Sequence, residues 1–543
     1  MTGAPTTFTA LPTRSIYRPH EPVVLQVSSE DSVTVRVSHL GDPVRTVRAT
    51  GPMVDIGSLP PGGYGIEVTD AEGRQHRTAV DVAADLRSRM RYGFVVDYAP
   101  GRDTGDLERF LRRLHLTAVQ FYDWAYRHAD LLGTGENGYA DALGQPVSPD
   151  TVRRLIDAAH RAGADALGYA AVYGVGNQEW PAWVHDSLLT PTGNPYALGD
   201  FLRLVDPAAP DWLAHFRADL AAATSRFGFD GFHLDQYGYP KRAFRTDGQA
   251  VDLADSFDTT ITGVREQLPD ARLVFNNVND FPTWRTTASP QDVTYIEVWP
   301  PHTGLEDLAA VVTRARALAP TRPVVIAAYQ SVYTAASPEE ADRTTAFTMA
   351  TLFSHGATQL LAGEGGRLLV DPYYVRNHVA EPSTLAFLTR WYDFLVEYGE
   401  LLLAPTATEV TGSYADDYNG DLDVRYQRVT VDHRPRPGSV WRRIVEVDGR
   451  LVVHLINLVG QVDTAWDTPR RDPGDAGTAT LRIRRTGRGT PRIRPADPDG
   501  PAGLASLPVT IEGDYAVASL PTLAVWQLVL IDTTDTEAES IVH

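Results

Sequence analysis

The sequence predicts a multidomain protein in which a (β/α)8 barrel lies between two antiparallel β domains. In the middle of the chain, short apolar runs alternate with helical stretches whose apolar residues recur at i, i+3 and i+4, which is typical of βα units. On both sides of this region, β-branched runs are separated by Pro/Gly turns. The chain has 543 residues, which is too many for a single compact domain. A barrel accounts for about 250 of them.

The N-terminal region contains the runs VVLQVSS, VTVRVSHL, YGIEVTD and TAVDVAA, which are separated by turns such as LPPGGYG. Short β-branched and alternating runs with this punctuation are typical of antiparallel strands. We therefore predict a small β-sandwich over residues 1–87.

Eight strands are predicted in the central region, over residues 92–99, 118–125, 165–173, 230–238, 272–279, 293–300, 323–330 and 358–366. Helical stretches such as TVRRLIDAAHRAG and PEEADRTTAFTMATLFSHG lie between them, several with Asp, Pro or Glu at their starts. This pattern indicates a (β/α)8 barrel over residues 88–404. The alternative is a doubly wound open sheet, but the segment YGFVVDYAPGRDTG after the first strand lacks the G-x-G-x-x-G turn expected there.

The C-terminal region returns to β patterns in LDVRYQRVTV, RRIVEVDGRLVVHLINL, ATLRIRR and YAVASLPTLAVWQLVLID. The turn-rich segment RRTGRGTPRIRPADPDGPAG interrupts these runs. We therefore predict a second β-sandwich over residues 405–543, packed on the barrel.

The charge balance argues against several classes of partner. The chain has 49 Lys and Arg against 69 Asp and Glu, and its formal net charge is -20. A negative field repels nucleic-acid phosphates and anionic lipid, so we expect neither a nucleic acid nor a membrane as partner. A membrane span needs about 18 consecutive apolar residues, and no run in this sequence approaches that length. The first residues also lack the pattern of a secretory signal. We therefore expect a cytoplasmic protein. The oligomeric state stays open.

Polar and aromatic residues are concentrated at the ends of the predicted strands. In a barrel, the working residues lie at the C-terminal strand ends and in the loops that follow. Several polar residues converging there would be costly without a function. The candidates are Asp97, Asp123, Trp124, Arg127, His128, Tyr173, Asp235, Asn276, Asn277, Glu297, Trp299, Tyr329, Gln330 and Glu364.

Asp235 and Glu297 are the predicted catalytic pair. Two carboxylates on different strands, surrounded by aromatic rings, are what glycoside cleavage requires. Asp235 follows an apolar strand in GFDGFHLDQYG and should project into the barrel mouth. Glu297 lies between Tyr295 and Trp299 in YIEVWP, where partial desolvation would raise the pKa of its carboxyl group. The alternative is that each is a capping or salt-bridge group.

Other candidates have structural readings beside functional ones. Asp123 is predicted to accept hydrogen bonds from sugar hydroxyls, or else to form an ion pair with Arg127 or His128. A Trp at a strand end stacks on a sugar or belongs to the core. We interpret His233 as a packed histidine.

No cofactor or metal is predicted. The chain has no Cys, and its His residues show neither H-x-x-x-H nor H-E-x-x-H spacing. No G-x-S-x-G or Walker A sequence occurs, which disfavours serine hydrolases and P-loop enzymes. The acidic segment YADDYNGDLD is a weak calcium candidate and is more simply a solvated loop.

Five segments carry a family resemblance: SIYRPHEPVVLQV, FYDWAYRHAD, GFDGFHLDQYG, YIEVWP and LLAGEGGRLLVDPYY. In this order, they make the chain resemble glycoside hydrolase family 66, the dextranases and cycloisomaltooligosaccharide glucanotransferases. The resemblance covers nearly the whole length and implies that the N-terminal sandwich is immunoglobulin-like. It also implies that Asp235 is the nucleophile, Glu297 the general acid/base and Asp123 a substrate-positioning carboxylate. A retaining mechanism is implied, with carboxyl groups about 5 to 5.5 Å apart.

The remaining predicted substrate-binding residues are Trp124, Arg127, Asn277, Trp299, Gln330 and Glu364. The sequence departs from the family in two respects. Members are typically secreted, whereas no signal is seen here. The cyclising members carry an extra carbohydrate-binding domain inserted in the barrel region, and only the short segment 331–357 separates the seventh and eighth predicted strands.

These observations favour a retaining hydrolase of α-1,6-glucosidic linkages in dextran or isomaltooligosaccharides, most simply an endo-dextranase. The first alternative is a transglycosylase that uses the same residues on the same glucans, with a sugar hydroxyl in place of water. A second alternative is a non-catalytic glucan-binding barrel, and a third keeps the chemistry on a different sugar.

Overall fold

The computed structural model describes residues 8–133, 138–416, 418–487, 489–500 and 503–532. Within these ranges the chain forms a nearly closed eight-stranded parallel barrel sheet, with antiparallel sheets before and after it in sequence. None of the described helices combines the length and apolar composition that a membrane span needs. The cytoplasmic location stays a prediction, and YADDYNGDLD lies partly outside the described residues.

Two packed sheets form the N-terminal part. Their strands are β1 (Ala10–Pro12), β2 (Val24–Val27), β3 (Ser32–His39), β4 (Asp42–Thr50), β5 (Met53–Asp55), β6 (Gly62–Asp70) and β7 (Gln75–Val82). The sheet orders are β1-β2-β5 and β4-β3-β6-β7. Leu25 and Val54 from the first sheet share one core with Val35 and Ile66 from the second. The immunoglobulin-like classification and the boundary at residue 87 stay predictions.

The central part contains eighteen strands among the described residues. They are β8 (Tyr92–Val95), β9 (Ala118–Phe121), β10 (Tyr139–Ala140), β11 (Pro146–Val147), β12 (Asp165–Ala171), β13 (Gly174–Gly176), β14 (Ala197–Leu198), β15 (Leu202–Leu204), β16 (Gly231–Asp235), β17 (Arg242–Phe244), β18 (Ala250–Asp252), β19 (Arg272–Val278), β20 (Val293–Glu297), β21 (Val324–Ala327), β22 (Ala357–Gln359), β23 (Ala362–Gly363), β24 (Arg367–Leu368) and β25 (His378–Val379).

Eight of these strands build the parallel barrel sheet in the order β8-β9-β12-β16-β19-β20-β21-β22. The sheet curves until its last strand lies beside its first, where the Thr358 hydroxyl donates a hydrogen bond of 2.7 Å to the Met90 carbonyl. Because the strands follow one another in sequence order, the strand order never reverses, as it must in a doubly wound sheet. The doubly wound alternative is therefore wrong.

The predicted strands are present but most end earlier than expected. The first predicted strand, 92–99, corresponds to β8, which ends at Val95, and the last, 358–366, corresponds to β22, which ends at Gln359. After Gln359 the backbone pairs antiparallel in β23, β24 and β25. Asp235 and Glu297 are the last residues of their strands, and Asn276 lies within β19. Other predicted site residues, such as Asp123 and Trp299, belong to the βα loops, where the backbone has left the parallel ladder.

Helices lie between the barrel strands and after the last one: α1 (Gly105–Arg113), α2 (Pro149–Ala162), α3 (Trp180–Trp183), α4 (Pro210–Phe227), α5 (Leu253–Gln267), α6 (Thr283–Thr286), α7 (Leu305–Leu318), α8 (Pro338–His355), α9 (Pro382–Glu397) and α10 (Gly399–Leu402). Their ends follow from local sequence. Ser148 caps α2 by accepting a hydrogen bond from the Thr151 N–H, and Gly163 ends it at φ 78°. Ser337 and Glu340 form a capping box at the start of α8.

The C-terminal part contains α11 (Thr411–Tyr414) and ten described strands: β26 (Thr408–Glu409), β27 (Leu422–Tyr426), β28 (Val431–Asp432), β29 (Val440–Val447), β30 (Arg450–Asn457), β31 (Ala479–Arg484), β32 (Arg492–Ala496), β33 (Thr510–Glu512), β34 (Tyr515–Leu520) and β35 (Trp526–Asp532). The orders are β26-β29-β30-β35-β32, with β28 beside β29, and β27-β31-β34-β33. Val453 faces the second sheet, whereas Val452 and Trp526 face the barrel core. The first sheet is therefore buried on both faces. The boundary at residue 404 stays a prediction.

Buried charges join the N-terminal sheets to the barrel. Asp81 of β7 accepts hydrogen bonds from Arg89 at 2.5 Å and from Arg91 at 2.7 Å, just before β8. Asp393 of α9 accepts from His115 at 2.8 Å and from the backbone N–H of Ala79 at 3.1 Å. Because these groups are buried or partly buried, the two parts are held together by interactions that salt screens much less than it screens surface pairs.

Candidate active site

A cavity of about 260 Å³ opens at the carboxyl ends of the barrel strands. Its wall is formed largely by aromatic side chains, with both predicted catalytic carboxylates in it. Among the described residues that line it, none is Lys or Arg. The two carboxylates are therefore partly buried, with no described Lys or Arg in the cavity wall beside them.

Asp235 is the last residue of β16 and its side chain faces the cavity. Side chains alternate along a strand, so His233 faces the same side two residues deeper in the barrel, where it is buried between Tyr169 and Tyr295. The prediction that His233 is packed fits this position. The Tyr169 hydroxyl donates to Asp235 Oδ2 at 2.8 Å, and Asn276 Nδ2 donates to Oδ1 at 2.7 Å.

Glu297 occupies the equivalent position at the end of β20, with Tyr295 two residues deeper. Trp299 Nε1 donates to Glu297 Oε1 at 2.7 Å. Asn276 Nδ2 donates to Glu297 Oε2, also at 2.7 Å. Each oxygen of both carboxyl groups therefore has at least one protein donor.

One amide nitrogen thus reaches both carboxyl groups. Since Asn276 Nδ2 lies 2.7 Å from an oxygen of each, these two oxygens lie no further apart than twice that distance. Carboxyl groups about 5 to 5.5 Å apart are typical of retaining glycosidases, and a separation of about 6.5 to 9.5 Å is typical of inverting ones. The spacing agrees with a retaining mechanism.

Burial raises the pKa of both carboxyl groups. Desolvation raises the pKa of Asp235 to about 6, against the lowering effect of the hydrogen bonds from Asn276 and Tyr169. Desolvation, followed by the negative charge of Asp235, raises the pKa of Glu297 to about 7, against the hydrogen bonds from Asn276 and Trp299. Near neutral pH the pair therefore holds a proton more readily on Glu297 than on Asp235.

Asp123 lies in the loop after β9 and lines the same cavity. Its backbone is left-handed, with φ 50°, a conformation that Asp adopts more readily than most residues. Only 9% of the residue is exposed. Desolvation, followed by the negative charges of Asp141 and Asp235, raises the pKa of Asp123 to about 8.

The ion-pair interpretation of Asp123 is wrong. Arg127 donates instead to the carbonyls of Tyr126 and Ala140, and its guanidinium lies 4.2 Å from the centroid of the Tyr126 ring. Burial, with the charge of Arg127, lowers the pKa of His128 to about 4, so this ring is neutral at neutral pH. Among the described residues, Asp123 forms no salt bridge.

Five residues predicted to bind substrate lie outside the cavity lining: Trp124, Arg127, Asn277, Gln330 and Glu364. Trp124 is buried, donates to the Tyr169 carbonyl and packs against Phe229. Asn277 is buried and donates to the Tyr295 carbonyl at 2.9 Å. Each follows a cavity residue by one position, and a shift of one residue turns a side chain to the other side of the chain.

Glu364 and Gln330 also have protein partners. Glu364 accepts hydrogen bonds from the backbone N–H groups of residues 96 and 97 and forms a salt bridge with Arg102. Gln330 accepts a hydrogen bond from the Thr345 hydroxyl at 3.3 Å. Both side chains are buried, so substrate contact by either has no support in this geometry.

A curved series of aromatic rings surrounds the carboxylates, and the sequence interpretation missed three of its members: Tyr122, Tyr169 and Tyr374. Successive centroids are 5.7 Å apart from Trp299 to Tyr329, 6.2 Å to Tyr374, 4.2 Å to Tyr122 and 5.0 Å to Tyr169. Its two end members, Trp299 and Tyr169, each donate a hydrogen bond to one of the two carboxylates. Tyr169 has a sequence signal, since it is an inward-facing residue of β12, but Tyr374 belongs to a loop whose position no local pattern gives.

The described residues contain no cluster of three or more His, Cys, Asp or Glu side chains arranged to hold a metal ion.

The sequence model of glycosyl hydrolase family 66 matches residues 12–530. The chain belongs to this family. The family 66 chain is 25% identical over 301 residues to a cycloisomaltooligosaccharide glucanotransferase of Niallia circulans. The matched region covers 50% of this chain and 30% of that protein. The chain is also 23% identical over 571 residues to a dextranase of Streptococcus salivarius. That match covers 88% of this chain and 68% of the dextranase. The chain therefore spans less than a third of the glucanotransferase that it matches.

A crystal structure of a Paenibacillus sp. cycloisomaltooligosaccharide glucanotransferase complexed with cycloisomaltoheptaose has the same fold. The TM-score is 0.84 at 19% sequence identity, over 96% of this chain and 99% of that one. The shared fold extends over all three parts of the family 66 chain.

Proposed function

We propose that this family 66 protein is a retaining hydrolase of α-1,6-glucosidic linkages in dextran or isomaltooligosaccharides, acting as an endo-dextranase. The observation that carries the proposal is the pair of partly buried carboxyl groups held by one amide nitrogen at 2.7 Å from each. Support for the α-1,6-glucan substrate comes from the family and from relatives described as dextranase and cycloisomaltooligosaccharide glucanotransferase.

In the first step, an ionised Asp235 oxygen attacks the anomeric carbon while Glu297 gives its proton to the departing glucosidic oxygen. The products are a glucosyl ester on Asp235 and a free sugar hydroxyl. In the second step, Glu297 takes a proton from water as the water oxygen attacks the anomeric carbon, and Asp235 leaves as a carboxylate. Asp123 and Trp299, which line the cavity, are the proposed substrate contacts.

Transglycosylation is the second candidate, because a sugar hydroxyl replaces water in the second step with no other change. The rim of the cavity favours it: Leu143, Leu198 and Phe201 form an apolar border that disfavours free water beside the ester. A non-catalytic binding protein would leave two raised-pKa carboxyl groups without a role.

The test is incubation of the purified protein with high-molecular-mass dextran and with isomaltooligosaccharides, following reducing ends and product sizes. We expect shorter dextran, more reducing ends, and a first-formed product with the α-configuration by NMR. Asp235→Asn and Glu297→Gln should each lose at least about 1,000-fold in rate, because each removes one role in bond cleavage.

Asp97→Asn is the matched control, since Asp97 is an exposed carboxylate past the end of β8 that does not line the cavity. It should keep wild-type activity. Transfer products with few new reducing ends would favour the transglycosylase. Unchanged substrates would contradict both, and β-configured first products would contradict retention.

A further inference from the structure

We propose that Asn276 is a positioning residue that fixes the spacing of Asp235 and Glu297 and stabilises whichever of the two is ionised. The inference rests on the proposed function and gives a role to a residue that the sequence placed only among the strand-end candidates. Asn276 belongs to β19, the strand between β16 and β20 in the barrel sheet. Its side chain therefore lies between the two strands that end in the carboxylates.

The two hydrogens of the amide match the two carboxyl groups. An Asn side chain has one NH2 group with two hydrogens. Both acceptors lie 2.7 Å from Nδ2, so each hydrogen has one carboxyl oxygen. A backbone N–H or a hydroxyl has a single hydrogen and could not hold both groups at once. The planar geometry of the amide thus sets the distance between the two carboxyl oxygens.

The orientation of this amide follows from electrostatics. If the group were turned over, Oδ1 would face two carboxyl oxygens, which also carry negative charge. In the observed orientation Oδ1 is buried and has no hydrogen-bond partner among the described residues. Only 2% of Asn276 is exposed, and a buried unpaired acceptor is destabilising. Stability does not explain the side chain, whereas contact with both reacting groups does.

The same two hydrogen bonds suit both steps of the proposed reaction. Before cleavage Asp235 carries the negative charge, and its hydrogen bond from Asn276 is the charge-assisted, stronger one. In the glucosyl ester Asp235 is neutral and Glu297 has lost its proton, so the charge-assisted hydrogen bond is then the one to Glu297. One side chain therefore stabilises whichever carboxylate is ionised.

Few other groups offset the charge of the pair. The titratable side chains around it are Asp123, the neutral rings of His128 and His233, and tyrosine hydroxyls such as those of Tyr169, Tyr237 and Tyr374. Burial lowers the pKa of His233 to about 3 and raises the pKa of Tyr169 well above its ordinary value, so neither carries charge at neutral pH. The donors that stabilise the ionised pair are therefore neutral groups: Asn276, Tyr169 and Trp299.

The test compares Asn276→Ala with Asn277→Ala. Asn277 is the next residue of β19 and is also buried, but it donates to backbone carbonyls and not to the carboxylates. For the wild type we expect a bell-shaped pH profile of kcat/KM with its optimum between the two pKa values. Asn276→Ala should lose about 10- to 100-fold in kcat, with little change in KM, because a hydrogen bond to a charged group is lost. Its acid limb should move to higher pH, because Asp235 is then harder to ionise.

A second readout needs no substrate. Urea denaturation midpoints of the three proteins are measured at pH 5 and pH 8. Asn276→Ala removes two hydrogen bonds that favour the ionised carboxylates, which are ionised at pH 8 and largely protonated at pH 5. The decrease in its urea midpoint relative to the wild type should therefore be larger at pH 8 than at pH 5. Asn277→Ala should lose the same amount at both. An equal loss at both pH values for Asn276→Ala would overturn the inference, whether or not the wild type cleaves α-1,6-glucans. An inactive wild type with the expected midpoints would overturn the proposed function alone.

Discussion

Asp123 shows how one buried carboxyl group links the site to the stability of the protein. Its pKa is raised to about 8 because it is desolvated and faces Asp141 and Asp235. In the unfolded chain the pKa of an Asp is about 3.9. The folded protein therefore holds a proton on Asp123 over a range of pH in which the unfolded chain does not. This contribution to stability is complete below about pH 4 and is lost as the pH rises through 8.

The variant Asp123→Asn should remove this pH dependence. Asn tolerates the left-handed backbone at this position and cannot ionise. From pH 5 to pH 8, we expect the free energy of unfolding of the wild type to fall relative to that of the variant, by at least about 1.4 kcal/mol, the value of one pKa unit. Urea denaturation at the two pH values measures it. A constant difference between the proteins would contradict the raised pKa.

The small sheet after the third barrel strand, β13, β15 and β14, holds an aromatic side chain over the cavity. The Tyr239 hydroxyl donates to the Ala197 carbonyl at 2.8 Å, and Asn177 donates to the Asp200 carbonyl at 2.6 Å. Gly199, at φ 54°, lets the ring of Phe201 lie against the backbone, since an added Cβ would be 3.3 Å from that ring. The turn thus holds Phe201 over the cavity with 39% of the residue exposed.

Phe201→Ala should shift the protein toward hydrolysis. An aromatic ring at the rim offers an apolar face to an incoming sugar and excludes water, so its loss favours water as acceptor. The assay uses isomaltotriose as the only substrate and measures the ratio of transfer products to new reducing ends. We expect this ratio to fall about threefold or more, because a threefold change corresponds to a loss of about 0.7 kcal/mol in the binding free energy of the acceptor sugar. Phe244→Ala is the control, because Phe244 is similarly exposed on β17 but does not line the cavity. An unchanged ratio in Phe201→Ala would exclude this role.

At the scale of the whole molecule, the barrel and the N-terminal sheets depend on one another. Asp81 of β7 is buried beneath Arg89 and Arg91, which lead into β8. If one partner of a buried ion pair is removed, the other charge stays in the interior without compensation. The N-terminal sheets and the barrel should therefore unfold together.

Asp81→Ala should lower the free energy of unfolding by about 3 to 5 kcal/mol, because both guanidinium groups lose their buried partner. Glu67→Ala is the matched control, since the Arg36–Glu67 salt bridge lies at the surface of the same sheet. It should change the free energy by at most about 1 kcal/mol. Urea denaturation followed by circular dichroism measures both. Two separate transitions in the wild type would contradict the joint unfolding.

The sequence by itself determined the order of strands and helices and the two catalytic candidates. These depend on local patterns: apolar runs mark the strands, and Asp235 and Glu297 stand at strand ends, where an acidic side chain ends an apolar run. Only the tertiary structure decided which neighbouring residue joins the site. Asn276 faces the carboxylates and Asn277 the core, and Trp299 lines the cavity whereas Trp124 does not. The physical reason is that strand curvature and loop conformation set these directions, and both arise from packing between segments far apart in the chain.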